Sequence, residues 1–156
     1  MDSTIRSASS LFTSPARSMG FGNSTCYVTK SDTLISIMSN CVFCQSVQGL
    51  IPRTIIYETE TVLAIKDKYP VTPGHTLVIP KKHVENILDI DELTMMEISK
   101  VIHHLAPILK QQYQATGINV LNANGRDAGQ SVFHLHFHLI PRHPNDGLHF
   151  WPKRWV

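Results

Sequence analysis

A chain of 156 residues is the length of one ordinary domain, and a formal net charge of +2 leaves it close to neutral. No Lys/Arg stripe or aromatic platform breaks that balance, which argues against an extended nucleic-acid partner and for a small ligand. The first 38 residues hold no apolar run long enough to span a bilayer and no signal-peptide core, so no membrane partner is expected.

In chain order, residues 1–38 read as a flexible extension. They are Ser-rich, carry Arg6 and Arg17, and have Asp2 as the only acid before Asp32. A cytoplasmic protein is the first expectation, and a transit segment for mitochondrion or plastid is the alternative. Cys26 reads as a free thiol. Cys41-x-x-Cys44 opens a domain over 39–143 and is half of a zinc site, a redox motif lacking its usual βαβ context, or a chance pair. Phe43 to Val47 fits a short helical turn. Thr54–Glu58 and Val62–Lys66 flank Thr59-Glu60-Thr61 as a β-hairpin.

The turn Pro73-Gly74-His75 leads into a strand over Thr76–Pro80, with His75 at its mouth and Lys81, Lys82 and His83 at its far end. Lys81-Lys82 reads as a solvated strand end sooner than an anion site. Asp91 caps a helix in which Leu93, Met96, Val101, Leu105, Ile108 and Leu109 recur near helical spacing. Pro107 is expected to kink or break this helix and Gly117 to stop it. His103 and His104 on it read as surface or packing residues. Ile118–Leu121 begins a strand that pairs with the next one. Beyond it lies a tail, 144–156, that carries both tryptophans and either packs on the surface or reaches a partner's site.

The most informative stretch is His134-Leu135-His136-Phe137-His138-Leu139-Ile140, where imidazole and hydrocarbon alternate strictly. Period two is the mark of a half-buried strand, so Leu135, Phe137 and Leu139 enter a core while three histidines line the opposite face, roughly 6.6 Å apart. Neutral imidazole is both the commonest metal ligand and the usual acid or base near pH 7, so the row alone fits either a metal site or direct catalysis. The turn-rich segment Asn124 to Phe133 delivers the chain into the row. Its glycines and the side chains of Gln130 and Ser131 suit an oxyanion.

The segment Cys41 to Arg142 resembles the histidine triad (HIT) superfamily of nucleotidyl hydrolases and transferases, in the branch of small Hint-like proteins. The resemblance is carried by Cys41-Val42-Phe43-Cys44, Ala64-Ile65-Lys66-Asp67, the run from Pro73 to His83 and the run from Ala128 to Arg142, all in family order. It implies an α+β fold with a mainly antiparallel sheet and one long helix, continuous across a homodimer. It also implies a hydrolase that cleaves at the α-phosphate of purine nucleoside phosphoramidates, acyl adenylates or dinucleotides and releases a nucleoside monophosphate.

On the family pattern His136 is the nucleophile that forms a transient nucleotidyl-histidine, His138 contacts the phosphate, and His75 completes the site. Gly129, Gln130 and Ser131 hold the phosphate and the bridging atom, and Ser131 gives a proton to an amine leaving group. Asp67 matches an acid on the ribose hydroxyls, and Lys68 lines the base pocket through its stem. Asn124 joins the substrate-binding set, while Ala123 stands where Hint-like proteins often carry a ribose-contacting Asn. Cys41, Cys44, His83 and His134 match the four ligands of a closed structural zinc site in microbial members. Such a site leaves no open position for a catalytic water, so zinc is structural and catalysis needs no metal. Two alternatives stay open: a non-catalytic nucleotide-binding or scaffold protein, and a zinc-dependent hydrolase with the three histidines as ligands.

Overall fold

The computed structural model describes residues 40–150. The expectations for the N-terminal extension, Cys26, Trp151 and Trp155 lie outside the described residues. Helix α1 spans Val42–Gln48 and α2 spans Glu92–Gln112, around strands β1 (Ile55–Glu58), β2 (Val62–Lys66), β3 (Thr76–Pro80), β4 (Gly117–Leu121) and β5 (Phe137–Arg142). Every strand pair is antiparallel, in the order β1-β2-β3-β5-β4. This is an α+β fold with one long helix. No described helix is long and apolar enough to cross a membrane.

Alternation along β2 and β3 sends side chains to two different layers, because successive residues of a strand point to opposite faces. Val62, Ala64 and Val78, with Phe137 and Leu139 of β5, pack under α2 against Ile98, Val101, Leu105 and Leu109. Leu63, Ile65, Leu77 and Ile79 face the other way and meet Phe43 of α1. Both strands are therefore buried on both sides, and only the second layer is left partly open for chemistry.

Local signals act where they were expected. The hairpin closes through Thr59, whose N–H donates to the Val62 carbonyl at 2.9 Å and whose hydroxyl accepts from the Val62 N–H at 3.1 Å. Asp91 caps α2 by accepting from the Thr94 N–H at 2.9 Å. Gly49 ends α1 at φ 75°, with its N–H and that of Leu50 on the Ser46 and Gln45 carbonyls.

Four sequence readings are corrected. Pro107 does not break α2, which runs through it. Pro107 and His103 both lie on the exposed side, where water can take the His103 carbonyl that loses its donor. Gly117 does not stop the helix; α2 ends at Gln112, the chain turns through Gln114 at φ 52°, and Gly117 opens β4. Leu93, Met96 and Ile108 fit the helical period but are exposed, and the buried stripe is Ile98, Val101, Leu105 and Leu109. The regular ladder of β5 begins at Phe137, so His134 and His136 sit in a lead-in outside it, with His134 in a bend. There the Leu135 N–H bonds to the Val84 carbonyl and the His134 N–H to the Val132 carbonyl. The face alternation survives this irregularity, with Leu135 in the α2 layer and the histidines opposite.

Candidate active site

Across the open face, β-sheet register sets one row of paired positions: His138 with Leu77, Leu77 with Ile65, and Ile65 with Ile55. His138, Leu77 and Ile65 of this row are the floor of a cleft of about 350 Å³, within the range of small-ligand pockets. His136, His138, Ser131, Asp67 and Lys68 line it together with Phe43, Ile65, Leu77 and Val132.

His136 is 5% exposed, with its ring edge-on to Phe43 at 5.1 Å. Its Nδ1 lies 2.7 Å from the His134 carbonyl oxygen. A carbonyl only accepts, so Nδ1 carries the proton and Nε2 keeps its lone pair for the cleft. The backbone is clamped as well, since Asn122 Nδ2 donates to the His136 carbonyl at 2.8 Å.

His138 takes its tautomer from a chain that starts in the backbone. The Val71 N–H donates to His75 Nδ1 at 3.3 Å, which leaves the His75 proton on Nε2, 2.9 Å from His138 Nδ1. His138 then accepts at Nδ1 and presents Nε2–H as a donor. Burial, followed by the charges of His136 and His75, pushes His138 down to about 4, so the ring is neutral at pH 7. Burial lowers His75 too, against the opposing pull of Asp67, whose Oδ2 lies 3.4 Å from His75 Nδ1. Asp67 Oδ1 accepts from the Tyr69 N–H at 2.8 Å. Gly74 has φ 86°, and a Cβ there would sit 2.4 Å from the Tyr113 ring, so the turn that delivers His75 requires glycine.

The turn before the row behaves differently from its sequence reading. Gln130 is buried and faces away from the cleft: its Oε1 accepts from the Gly125 N–H at 2.7 Å, and its Nε2 donates to the Glu85 and Val132 carbonyls. The N–H groups of Gly129 and Gln130 are also taken inside the turn, by the Arg126 and Gly125 carbonyls. Asn124 is a clamp as well, with Oδ1 on the Ile87 N–H at 2.9 Å and Nδ2 on Asn122. The polar groups of Gln130, Asn124 and the Gly129 N–H are thus engaged in holding the loop, and none of the three residues lines the cleft. Ser131, Asp67 and Lys68 do line the cleft; Lys68 also rests its ammonium 5.3 Å from the centre of the Tyr69 ring. Lys81 pairs with Glu58 at 2.7 Å and belongs to the hairpin.

A second cluster lies at the start of α1. The donor atoms of Cys41, Cys44, His83 and His134 all fall within 4.8 Å of one another. Cys41 Sγ is 3.4 Å and Cys44 Sγ 3.6 Å from His134 Nδ1, and Cys44 Sγ is 3.3 Å from His83 Nδ1. Donors around one tetrahedral zinc at ordinary bond lengths stand about 3.5 Å apart, so this set fits the ion. His134 Nε2 lies 2.9 Å from the Pro80 carbonyl, which places its proton there and leaves Nδ1 free toward the thiols. Burial pushes the Cys44 thiol up to about 12, helped by neighbouring Cys41, and burial pushes His134 down to about 4. Among the described residues the three histidines of the row do not share one ligand point.

The HIT domain model matches residues 48–145. The Protein hit of Bacillus subtilis is 44% identical over 104 residues, which are 67% of this chain and 72% of that protein. The chain belongs to the HIT family. Solved HIT structures agree: a Zn-bound histidine triad family protein from Mycobacterium smegmatis is 39% identical with TM-score 0.68, covering 75% of this chain and 86% of that one. A histidine triad nucleotide-binding protein from Candida albicans is 36% identical with TM-score 0.65, covering 73% and 84%. Membership places the chain in a superfamily of nucleotide-binding proteins and hydrolases.

Within this HIT domain, several cleft residues had no separate signal in the sequence. Phe43, Ile65, Leu77 and Val132 look like core residues by composition, and only sheet register and the fold of α1 bring them to one wall. Asn122 was passed over because a side chain that grips a backbone carbonyl 14 residues away leaves no local pattern. Ser46 and Arg53 also reach the cleft, from α1 and from the segment before β1.

Proposed function

We propose that the protein is a nucleotidyl hydrolase that cleaves at the α-phosphate of purine nucleoside phosphoramidates, acyl adenylates or dinucleotides. The observation that carries this reading is the tautomer pattern of the cleft, a free lone pair on His136 Nε2 beside an N–H donor on His138 Nε2. A nucleophile next to a fixed donor is what displacement at phosphorus needs.

In this reading His136 Nε2 attacks phosphorus, the bond to the leaving amine, carboxylate or phosphate breaks, and an amine takes its proton from the Ser131 hydroxyl. His138 Nε2–H holds a phosphoryl oxygen as charge develops. Water then attacks phosphorus, returning a proton to Ser131 where an amine has left, the bond to Nε2 breaks, and a nucleoside monophosphate leaves with His136 and Ser131 restored. Asp67 accepts from the ribose hydroxyls, and Lys68 flanks the nucleoside. His75 keeps His138 in its donor tautomer.

Zinc fits the Cys41, Cys44, His83 and His134 set, where it would stabilise two thiolates and tie α1 to the sheet. Its four ligands leave no position for substrate, so every chemical step belongs to the cleft. We also infer a homodimer, supported by the unpaired edge of β4 with Val120 exposed and by exposed Leu93, Met96 and Ile108 on α2. Light scattering of the purified chain reads this directly.

The test of function is release of AMP or GMP from the corresponding nucleoside phosphoramidate, with and without prior chelation. Turnover that survives chelation is expected. Activity lost and regained with zinc would favour a metal hydrolase, and binding without any turnover would favour a scaffold.

A further inference from the structure

The far wall of the cleft holds two polar side chains that no step above uses. Arg53 lines it from the segment before β1, with Glu58 as a charged neighbour. Its Nε is out of contact with water and without an acceptor. The guanidinium rests against Gly49, where a Cβ would come within 2.9 Å of Nη1. Ser46, 3% exposed on the inner face of α1, also lines the cleft. A buried donor without a partner is uncommon in a folded protein and points to a missing one.

Position says what that partner is. The phosphate end is His136 and His138, and from His138 the floor crosses β3 to Ile65 of β2, two strand spacings or about 10 Å away, with Arg53 just ahead of the next strand, β1. Asp67 also lines this cleft, whose apolar walls include Phe43, Ile51 and Ile65. A nucleotide with phosphorus at the histidines and ribose at Asp67 puts its base between those walls, with its edge toward Arg53 and Ser46. We infer that Arg53, assisted by Ser46, selects a 6-oxopurine base, guanine or hypoxanthine, over adenine. A guanidinium is a planar fork of donors, and guanine offers two acceptors, O6 and N7, on one edge. Adenine sets a 6-amino donor where O6 would be, so N–H would face N–H. The inference rests on the reading of the cleft as a nucleotide site.

The test is titration calorimetry of the full chain with GMP, IMP and AMP, beside kcat/KM for guanosine and adenosine 5′-phosphoramidates. GMP and IMP should bind about tenfold to hundredfold tighter than AMP. In Arg53→Met, which keeps the apolar stem, that ratio should fall below about threefold, and Arg53→Lys should lose it too, because charge without the fork is not enough. AMP binding as tightly as GMP in the unaltered chain overturns the inference, as does a preference that survives Arg53→Met. Equal turnover of both phosphoramidates sinks the inference and spares the hydrolase reading. Guanine-selective binding without turnover does the reverse, and no mononucleotide binding at all sinks both.

Discussion

His134 and His138 come from the same short run and are each pushed down to about 4 by burial, yet they belong to clusters with different chemistry. His134 gives its Nε2 proton to the Pro80 carbonyl and turns Nδ1 toward two thiols, a metal-ready donor set. His138 accepts at Nδ1 from His75 and turns an N–H toward the cleft. His136, between them, gives its Nδ1 proton to the His134 carbonyl and keeps Nε2 bare. Burial is shared by His134 and His138; the role of each ring in the run follows from which nitrogen the surrounding backbone or side chain occupies.

The largest way to break this contrast is to remove the bare nitrogen. His136→Ala should lower turnover by about a million-fold while mononucleotide binding persists, since losing a covalent nucleophile has effects of that order. Near-normal rates in that variant would end the covalent account. Next in size is the loss of the presented donor on His138. His75→Leu should lower kcat by about 10²-fold, and His75→Gln, which can still donate to His138 Nδ1, should retain more. Equal losses in steady-state assays of the two variants would mean that His75 only fills space.

The thiol cluster should respond in the opposite way. Replacing Cys41 and Cys44 with Ser should remove bound zinc and lower the melting temperature by roughly 10 °C or more, with activity kept at permissive temperature. Metal content unchanged by mass spectrometry would show that the ion sits elsewhere. The smallest effect is on pH. His138 stays neutral in the folded chain down to about 4, while an unfolded histidine takes a proton near 6.5. Stability is therefore fully present above about 6.5 and declines as pH falls toward 4, and His138→Gln should flatten that slope in thermal melts.

Much of the scaffold was legible because local rules act there without competition. The hairpin over 54–66, the Asp91 cap and the two-faced alternation around Phe137 each rest on neighbours in sequence, and all appear in the fold. Pro107 misled because a breaker acts only where the lost hydrogen bond has no substitute, and the exposed side of α2 supplies water; Gly117 misled because α2 has already ended at Gln112 and the chain turns at Gln114. At the site, the cysteine spacing and the histidine row named side chains that do come together. Gln130 and Asn124 could not be placed from composition, because an amide that can reach a ligand can equally satisfy its own loop, and here it does the latter. Arg53 and Ser46 emerge only from sheet register and the packing of α1, two features that no local window contains.

The central claim is that the His136 ring becomes bonded to phosphorus, and rapid acid-free quenching of a purine nucleoside phosphoramidate reaction followed by peptide mapping reads it directly. The account predicts a transient nucleoside monophosphate adduct on the peptide containing His136, absent from His136→Ala. An adduct on another residue, or turnover in the unaltered chain with no adduct formed at any time, would contradict it.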